Sequence, residues 1–130
     1  MSEPRWLTLE EVLVAHDRQI ARFGGPHGIR DLGALESALG RPVNKFAYGE
    51  TDLASLAAAY AFGIARNHPF IDGNKRAAFV ALMMFLRLND LRFAPPPAEA
   101  TAAILGLAAG EISEESLARW IRDRSPPATE

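Results

Sequence analysis

Apolar residues in the first half of the chain recur three and four positions apart, which is the period of an amphipathic helix. The pattern predicts helices over residues 9–23, 32–39 and 53–67. Gly40 and Pro42 are expected to stop the second of these, because proline lacks a backbone donor and glycine favours helix ends. The following stretch, residues 43–50, is predicted to be a loop or a short hairpin.

The second half of the chain contains the longest apolar run, from Ala77 to Leu86. A membrane-spanning helix needs roughly 20 such residues, so this run is predicted to lie in a buried helix, residues 74–88, at the centre of the fold. Residues 91–93 are predicted to form a brief strand. Two more helices are predicted, one over residues 98–109 and one from a Ser113 cap to Asp123.

These elements predict an all-α fold, a compact bundle of about six helices around the central apolar helix. No internal repeat or long linker divides the 130 residues. One domain is therefore predicted over residues 1–124, followed by a flexible tail at residues 125–130.

Composition narrows the classes of function. The chain has no cysteine, which excludes disulfides, thiolate metal ligands and a cysteine nucleophile. Charged residues within the first 20 positions argue against a signal peptide, so a cytoplasmic location without a membrane partner is expected. With 14 Lys and Arg against 16 Asp and Glu, the net charge is −2, and no direct nucleic acid partner is expected.

One segment breaks the local rules of helix stability. Polar and ionisable side chains gather between Arg66 and Arg76, at the entrance of the most apolar helix. Lys75 and Arg76 fall in the first helical turn, where the helix dipole makes each cation unfavourable by about 0.3–1 kcal/mol. Such conflicts are expected at functional sites, and an anionic ligand would remove this one.

A phosphate group would suit this position. Gly73 and Asn74 open the helix, so free backbone N–H groups, the dipole and two cations converge there. Lys75 offers a point charge and Arg76 a planar fork, while Arg66 could reach the same pocket from the preceding helix. For Asn74 the alternative of a turn-forming residue is open, and for the two cations the alternative of solvated surface charges.

The loop before this helix adds two reactive groups. Asp72 supplies a hard oxygen of the type that holds Mg²⁺ together with waters and nucleotide phosphates, and the alternative of a simple helix cap is open. His68 can accept a proton near neutral pH, and Phe70 is expected to anchor the loop in the core. A phosphate cradle, a metal ligand and a base together indicate group transfer from a nucleotide to a protein hydroxyl.

His16 and Asp17 form a pair that also occurs in metal-dependent phosphohydrolases. Such enzymes need several further His and Asp ligands, and this chain has only three histidines. His16 falls on the apolar face of the first helix, so a role at the edge of the core is predicted.

Residues 68–76, His-Pro-Phe-Ile-Asp-Gly-Asn-Lys-Arg, resemble the Fic motif H-P-F-x-[D/E]-G-N-G-R-x-x-R. The chain is therefore similar to the Fic/Doc (death-on-curing) family, with the Doc members as the nearest group. The similarity covers nearly the whole chain, and includes Gly28-Ile29-Arg30-Asp31, Leu35-Glu36-Ser37-Ala38, Arg41-Pro42 and Gly110-Glu111-Ile112-Ser113.

The resemblance implies the Fic/Doc fold and a role for each residue of the motif. His68 would be the base that activates the target hydroxyl, and Asp72 the magnesium ligand. The phosphate contacts it implies are Gly73, Asn74 and Arg76, with Arg66 and Lys75 added in the Doc members. We count Lys75 and Arg76 also as catalytic residues, with ATP and Mg²⁺ as the cofactors.

Two departures from AMP-transferring Fic enzymes bear on the reaction. Those enzymes have glycine in place of Lys75 and a second arginine in place of Phe79, and both changes should alter how the triphosphate lies. In Doc members the nucleotide is understood to bind in the opposite orientation, so that its γ-phosphate faces the target. The resemblance therefore implies a toxin of a type II toxin-antitoxin system, a kinase that phosphorylates a threonine of elongation factor Tu and blocks translation.

Many Fic proteins carry an inhibitory helix, [S/T]-x-x-x-E-[G/N]. No glutamate here is followed by Gly or Asn, so the motif is absent, and the resemblance implies a separate Phd-like antitoxin as partner. Two alternatives stay open. One is an AMP transferase with His68 and Asp72 in the same roles, and the other is a catalytically silent module that binds an antitoxin.

Overall fold

The computed structural model describes residues 3–125, which form six helices. In chain order these are α1 (Leu9–Phe23), α2 (Leu32–Ala47), α3 (Leu53–Asn67), α4 (Asn74–Leu88), α5 (Pro97–Ala108) and α6 (Glu114–Asp123). An antiparallel bridge joins Ile29 to Phe70, and no β-strand forms within residues 3–125. The predicted all-α class is confirmed. None of the described helices is long and apolar enough to cross a membrane.

Most helices begin at a side-chain cap. Thr8 and Glu11 bond reciprocally to each other's backbone N–H at the start of α1. The side chains that cap α2, α3 and α6 are those of Asp31, Asp52 and Ser113. Helices α4 and α5 have no side-chain cap; α5 begins with proline, whereas α4 begins after Gly73. The first N–H groups of α4 are therefore available to an external acceptor.

Helix α2 continues beyond its predicted end. It passes through Gly40 and Pro42, so the loop or hairpin predicted for residues 43–50 is wrong over most of its length. Pro42 is buried inside the helix and has no N–H to donate to the carbonyl of Ala38. Close packing against α3 compensates, since a Cβ on Gly63 would come within 3.0 Å of Ala38.

Contacts with α6 hold the second half of α2. Glu114 is only 6% exposed and accepts hydrogen bonds from Arg41 and, at 2.9 Å, from Lys45. The Arg41 guanidinium also lies 4.6 Å from the ring centroid of Phe62. A carboxylate this buried requires such partners, so the pairing favours helix over loop in this stretch.

The central helix of the bundle is α3, not α4 as predicted. Eleven of its 15 residues are buried, and six of the eleven are alanines. These small side chains let α2, α4, α5 and α6 pack closely around it. In α4, Leu82 and Phe85 are fully buried, whereas Phe79 and Val80 remain partly exposed. Because alanine side chains are only weakly hydrophobic, the alanine-rich α3 gives a weaker signal in the sequence than the apolar run of α4. The sequence pattern therefore favoured α4 as the central helix.

Two further differences lie outside the helices. Residues 91–93 do not form the predicted strand, and only Leu91 takes an isolated bridge position. Phe93 is instead buried, edge-on to Trp120 with ring centroids 5.2 Å apart. Ser125 begins the predicted tail but is buried and donates to the Ile121 carbonyl. Residues 126–130 of that tail lie outside the described residues.

Tyr60 allows this packing to be tested by pH. Its hydroxyl is buried and accepts a 3.0 Å hydrogen bond from the backbone N–H of Leu7. Burial raises the pKa of Tyr60 from 10.0 to about 12. The folded chain therefore keeps this proton in a pH range where the unfolded chain loses it. The resulting stabilisation is fully present below pH 10.0 and is lost as the pH rises through about 12.

We expect Tyr60→Phe to lower the free energy of unfolding by about 1–3 kcal/mol at neutral pH, because the Leu7 N–H loses its acceptor. In urea titrations above pH 10.0, the variant should lose stability less steeply than the wild type. Tyr48→Phe is the matched control, since Tyr48 is 93% exposed. Equal slopes for wild type and Tyr60→Phe would contradict the prediction.

Candidate active site

A cleft of about 750 Å³ opens at the N-terminal end of α4. Its walls come from α1, the loop between α3 and α4, the first turns of α4, and α5. The polar lining residues are Gln19, His68, Asp72, Gly73, Asn74, Lys75, Arg76 and Thr101. The larger apolar lining residues are Phe23, Ile71, Phe79, Val80, Ile104 and Leu105. The structure thus brings together all the predicted site residues except Arg66.

The start of α4 carries an uncompensated positive charge. Gly73 adopts a left-handed conformation, with φ +76°, which favours glycine, and a Cβ there would lie 3.1 Å from the end of the Ile20 side chain. No acidic residue lies in the first turn of α4. Lys75 and Arg76 are exposed, and neither forms a hydrogen bond or ion pair within residues 3–125. Open N–H groups and unpaired cations suit an anion.

Asp72 lies directly before this helix start. Its Oδ1 accepts a 2.8 Å hydrogen bond from the N–H of Gly73, and its carboxylate is exposed. No cluster of three or more His, Asp or Glu that could hold a metal occurs among the described residues. A metal ion at Asp72 would therefore depend on waters and phosphate oxygens for its other ligands. This donor set fits Mg²⁺, which keeps several waters and binds with nucleotide phosphates.

Gly25 packs against the same carboxylate. It has a φ of +112°, and a Cβ built on it would lie 2.5 Å from Oδ2 of Asp72. Any side chain at this position would therefore overlap the carboxylate of Asp72, and glycine avoids the overlap. The sequence pattern does not indicate this contact, because the contact depends on how α1 docks against the loop.

His68 ends α3 in a left-handed conformation, with φ 49° and ψ 56°. This conformation is unfavourable for a residue with a Cβ and is typically retained where function requires it. Arg30 stabilises the turn, donating from Nε to the carbonyl of His68 at 2.6 Å and from Nη2 to that of Asn67 at 2.8 Å. The backbone is thereby fixed, while the imidazole remains exposed at the cleft. Only the family resemblance, and not the residue pattern, pointed to the stretch containing Arg30.

The underside of the loop is held by the core. Phe70 is 1% exposed and stacks on the ring of His16, with centroids 3.8 Å apart. His16 Nε2 donates to the carbonyl of Asp72 at 2.8 Å, so this nitrogen carries the proton. The predicted anchoring role of Phe70 and the core role of His16 are confirmed. His16 also fixes the backbone of Asp72, which the sequence did not suggest.

Asn74 uses its side chain within the loop. Its Oδ1 accepts from the N–H of Phe70 at 2.9 Å, and its Nδ2 donates to the carbonyl of the same residue at 3.0 Å. This geometry favours the turn-forming role that the sequence left open. A phosphate contact from Asn74 would then come from its backbone N–H, which lies at the start of α4.

Arg66 lies apart from the cleft. Its guanidinium is 5.5 Å from the ring centroid of Phe62 and close to Gly110, where a Cβ would be 3.8 Å from Nη1. Arg66 does not line the cleft, and its contact with phosphate stays a prediction.

A second cavity, of about 770 Å³, lies between α2 and α6. Its charged lining includes Arg41, Lys45 and Glu114, which are already paired with one another. The cleft at α4 combines unpaired cations, an exposed carboxylate and an exposed imidazole. It is therefore the stronger candidate for an active site.

Comparison with known proteins shows the family of the chain. The model of the Fic/DOC family matches residues 6–86, well over half of the chain. "Protein kinase doc" of Escherichia phage P1 is 40% identical over 119 residues, covering 91% of this chain and 94% of that protein. "Toxin Doc" of Mycolicibacterium smegmatis is 39% identical over 92 residues, or 68% of each chain. The chain belongs to the Fic/Doc family.

Proposed function

We propose that this protein is a Doc-type toxin, a kinase that uses Mg-ATP to phosphorylate a hydroxyl group on a protein. The observation that carries the proposal is the uncapped start of α4, where Lys75 and Arg76 share a cleft with His68 and Asp72. The similarity to "Protein kinase doc" supports phosphoryl transfer as the reaction.

The residues at the start of α4 would bind the phosphates. The backbone N–H groups of Asn74, Lys75 and Arg76 face no intrahelical acceptor, so they can donate to phosphate oxygens. The Lys75 ammonium and the Arg76 guanidinium neutralise charge on the transferred and departing groups. Asp72 would hold Mg²⁺, which when bound with the nucleotide supplies further charge neutralisation.

His68 would provide the base. Its imidazole takes the proton of the target hydroxyl while the hydroxyl oxygen bonds to the γ-phosphorus of ATP. The bond from that phosphorus to the β,γ-bridging oxygen breaks, and ADP leaves with the electron pair. Arg30 and the helix end fix the backbone of His68, so little reorganisation is needed at this step.

The rim of the cleft suits a protein substrate. Phe23, Ile71 and Leu105 line it with side chains that are 50%, 54% and 50% exposed. Exposed apolar groups around a polar centre are typical of surfaces that bind another macromolecule. On the family resemblance we propose a threonine of elongation factor Tu as target, with translation arrest as the result. A Phd-like antitoxin and a cytoplasmic location complete the proposal.

The reaction is tested by the mass of the product. Purified protein, Mg-ATP and elongation factor Tu are incubated together, and the target is examined by intact-protein and peptide mass spectrometry. We expect a phosphate-sized gain on a threonine, and no gain with His68→Ala. An AMP-sized gain would contradict the kinase and support nucleotidyl transfer. The same incubation is repeated with a cell extract. A phosphate found there on a different protein would support the kinase activity and contradict the proposed target.

Expression in bacteria tests whether chemistry is needed at all. Growth arrest by the wild type should disappear with His68→Ala and with Asp72→Ala, both at unchanged protein levels. Arrest that persists in both variants would show that the protein acts as a silent binding module.

A further inference from the structure

Phe23 is an exposed aromatic residue at the rim of the cleft, and its ring also lies beside a phosphate-binding cation of the proposed site. It is the last residue of α1, it lines the cleft, and half of its surface is exposed. Burial in the core therefore does not explain its position. Its neighbour in the cleft is Arg76, whose guanidinium carbon lies 4.3 Å from the centroid of the Phe23 ring.

This contact holds a guanidinium without using its hydrogen-bond donors. Arg76 forms no hydrogen bond or ion pair with any described residue, so the ring is the partner that the structure gives it. Guanidinium groups are attracted to aromatic faces and can stack there while their N–H groups stay free. A carboxylate would hold the arginine equally well, but it would cancel the positive charge that a phosphate requires.

The ring itself is held by a rigid helix end. The N–H of Gly24, the residue after Phe23, donates to the carbonyl of Ile20 at 2.7 Å, and Gly24 closes α1 with a φ of 87°. Ile20 is buried, so the last turn of α1 is fixed to the core. Arg76 sits on the first turn of α4. The contact therefore joins two packed helices, and the arginine is oriented before a ligand arrives.

We propose that Phe23 is a positioning residue for Arg76, holding the guanidinium at the phosphate site before the nucleotide binds. The inference rests on the proposed function, because it adds to the role given there to Arg76. Orienting a long side chain in advance removes part of the entropy loss on binding, which raises affinity.

A double-mutant cycle on nucleotide affinity tests this inference. Binding of Mg-ADP to the full chain is measured by calorimetry for Phe23→Leu, Phe23→Tyr, Arg76→Ala and Phe23→Leu/Arg76→Ala. We expect Phe23→Leu to weaken binding about 3- to 30-fold, the range of a partly exposed cation–π contact. Phe23→Tyr keeps an aromatic face and should bind like the wild type. In the Arg76→Ala background, Phe23→Leu should cause no further loss.

Val14→Ala is the matched control, because Val14 is an equally exposed apolar residue of α1 that does not line the cleft. It should leave Mg-ADP affinity unchanged. Thermal melts of all variants separate loss of binding from loss of fold.

The possible outcomes distinguish this inference from the proposed function. If Arg76→Ala weakens binding and Phe23→Leu does not, the positioning role is wrong and the phosphate site stands. If Phe23→Leu weakens binding equally with and without Arg76, the ring contacts the nucleotide directly, and the positioning role is again wrong. If Arg76→Ala itself binds Mg-ADP normally, the proposed phosphate site fails.

Discussion

His68→Gly is expected to abolish phosphoryl transfer and to stabilise the fold. The substitution removes the base, which typically contributes a factor of about 10² to 10⁴ in rate. The same residue ends α3 in a left-handed conformation, with φ 49°. Glycine lacks the Cβ that makes this conformation unfavourable, so the free energy of unfolding should rise by up to about 1 kcal/mol. The two changes are measured by rates of phosphate incorporation and by urea unfolding.

His68→Ala is the control for this prediction. It removes the same imidazole but keeps a Cβ, so it should lose activity without gaining stability. The comparison therefore separates the catalytic side chain from its strained backbone. A glycine variant no more stable than the alanine variant would show that the backbone is not strained. A glycine variant that keeps its activity would remove His68 from the mechanism.

Gly25→Ala is expected to have the second largest effect, on the binding of Mg²⁺. The added Cβ would lie 2.5 Å from Oδ2 of Asp72, so the carboxylate must move. Changing a residue that holds a metal ligand in place typically lowers the affinity for the metal about 10- to 100-fold. We expect the Mg²⁺ concentration needed for ADP binding, measured by calorimetry, to rise by that factor. The rate of phosphoryl transfer at limiting Mg²⁺ should fall with it.

Gly24→Ala provides a close control for this substitution. Gly24 also has a positive φ, +87°, but a Cβ on it would have no neighbour within 4 Å. Both variants should lose stability through backbone strain, whereas only Gly25→Ala should change the Mg²⁺ requirement. If the two variants need the same Mg²⁺ concentration, the position of the Asp72 carboxylate does not depend on Gly25.

The clustering of the polar residues of the candidate site could be predicted from the sequence. Residues 68–76 are contiguous, so their side chains must fall near one helix start wherever that helix packs. The conflict between the helix dipole and the cations Lys75 and Arg76 is a local property. It could be recognised without the fold, and in the structure both side chains line the cleft without an ionic partner among the described residues.

The residues that hold the site in place could not be predicted in this way. Gly25 and Phe23 reach it because α1 packs along α4, and Arg30 because the loop before α2 pairs with Phe70. These contacts join segments that are distant in sequence, and neither spacing nor composition specifies them. The length of α2 depended in the same way on Glu114, a partner far along the chain.

The roles that were predicted for two polar side chains were also incomplete. Asn74 was predicted to contact phosphate, yet its amide group is used by the backbone of Phe70. Arg66 was predicted to reach the same pocket, yet its guanidinium lies beside Phe62. Which partner a polar side chain takes depends on competition among neighbours, and that competition is decided by tertiary packing.

The central claim is that the start of α4 binds nucleotide phosphates beside His68. The most direct measurement is an amide NMR titration of the full chain with Mg-ADP. We predict the largest shifts at the backbone N–H groups of residues 73–76, with smaller shifts at His68 and none around Arg41 in the second cavity. Saturable shifts at Arg41, with residues 73–76 unchanged, would contradict the account.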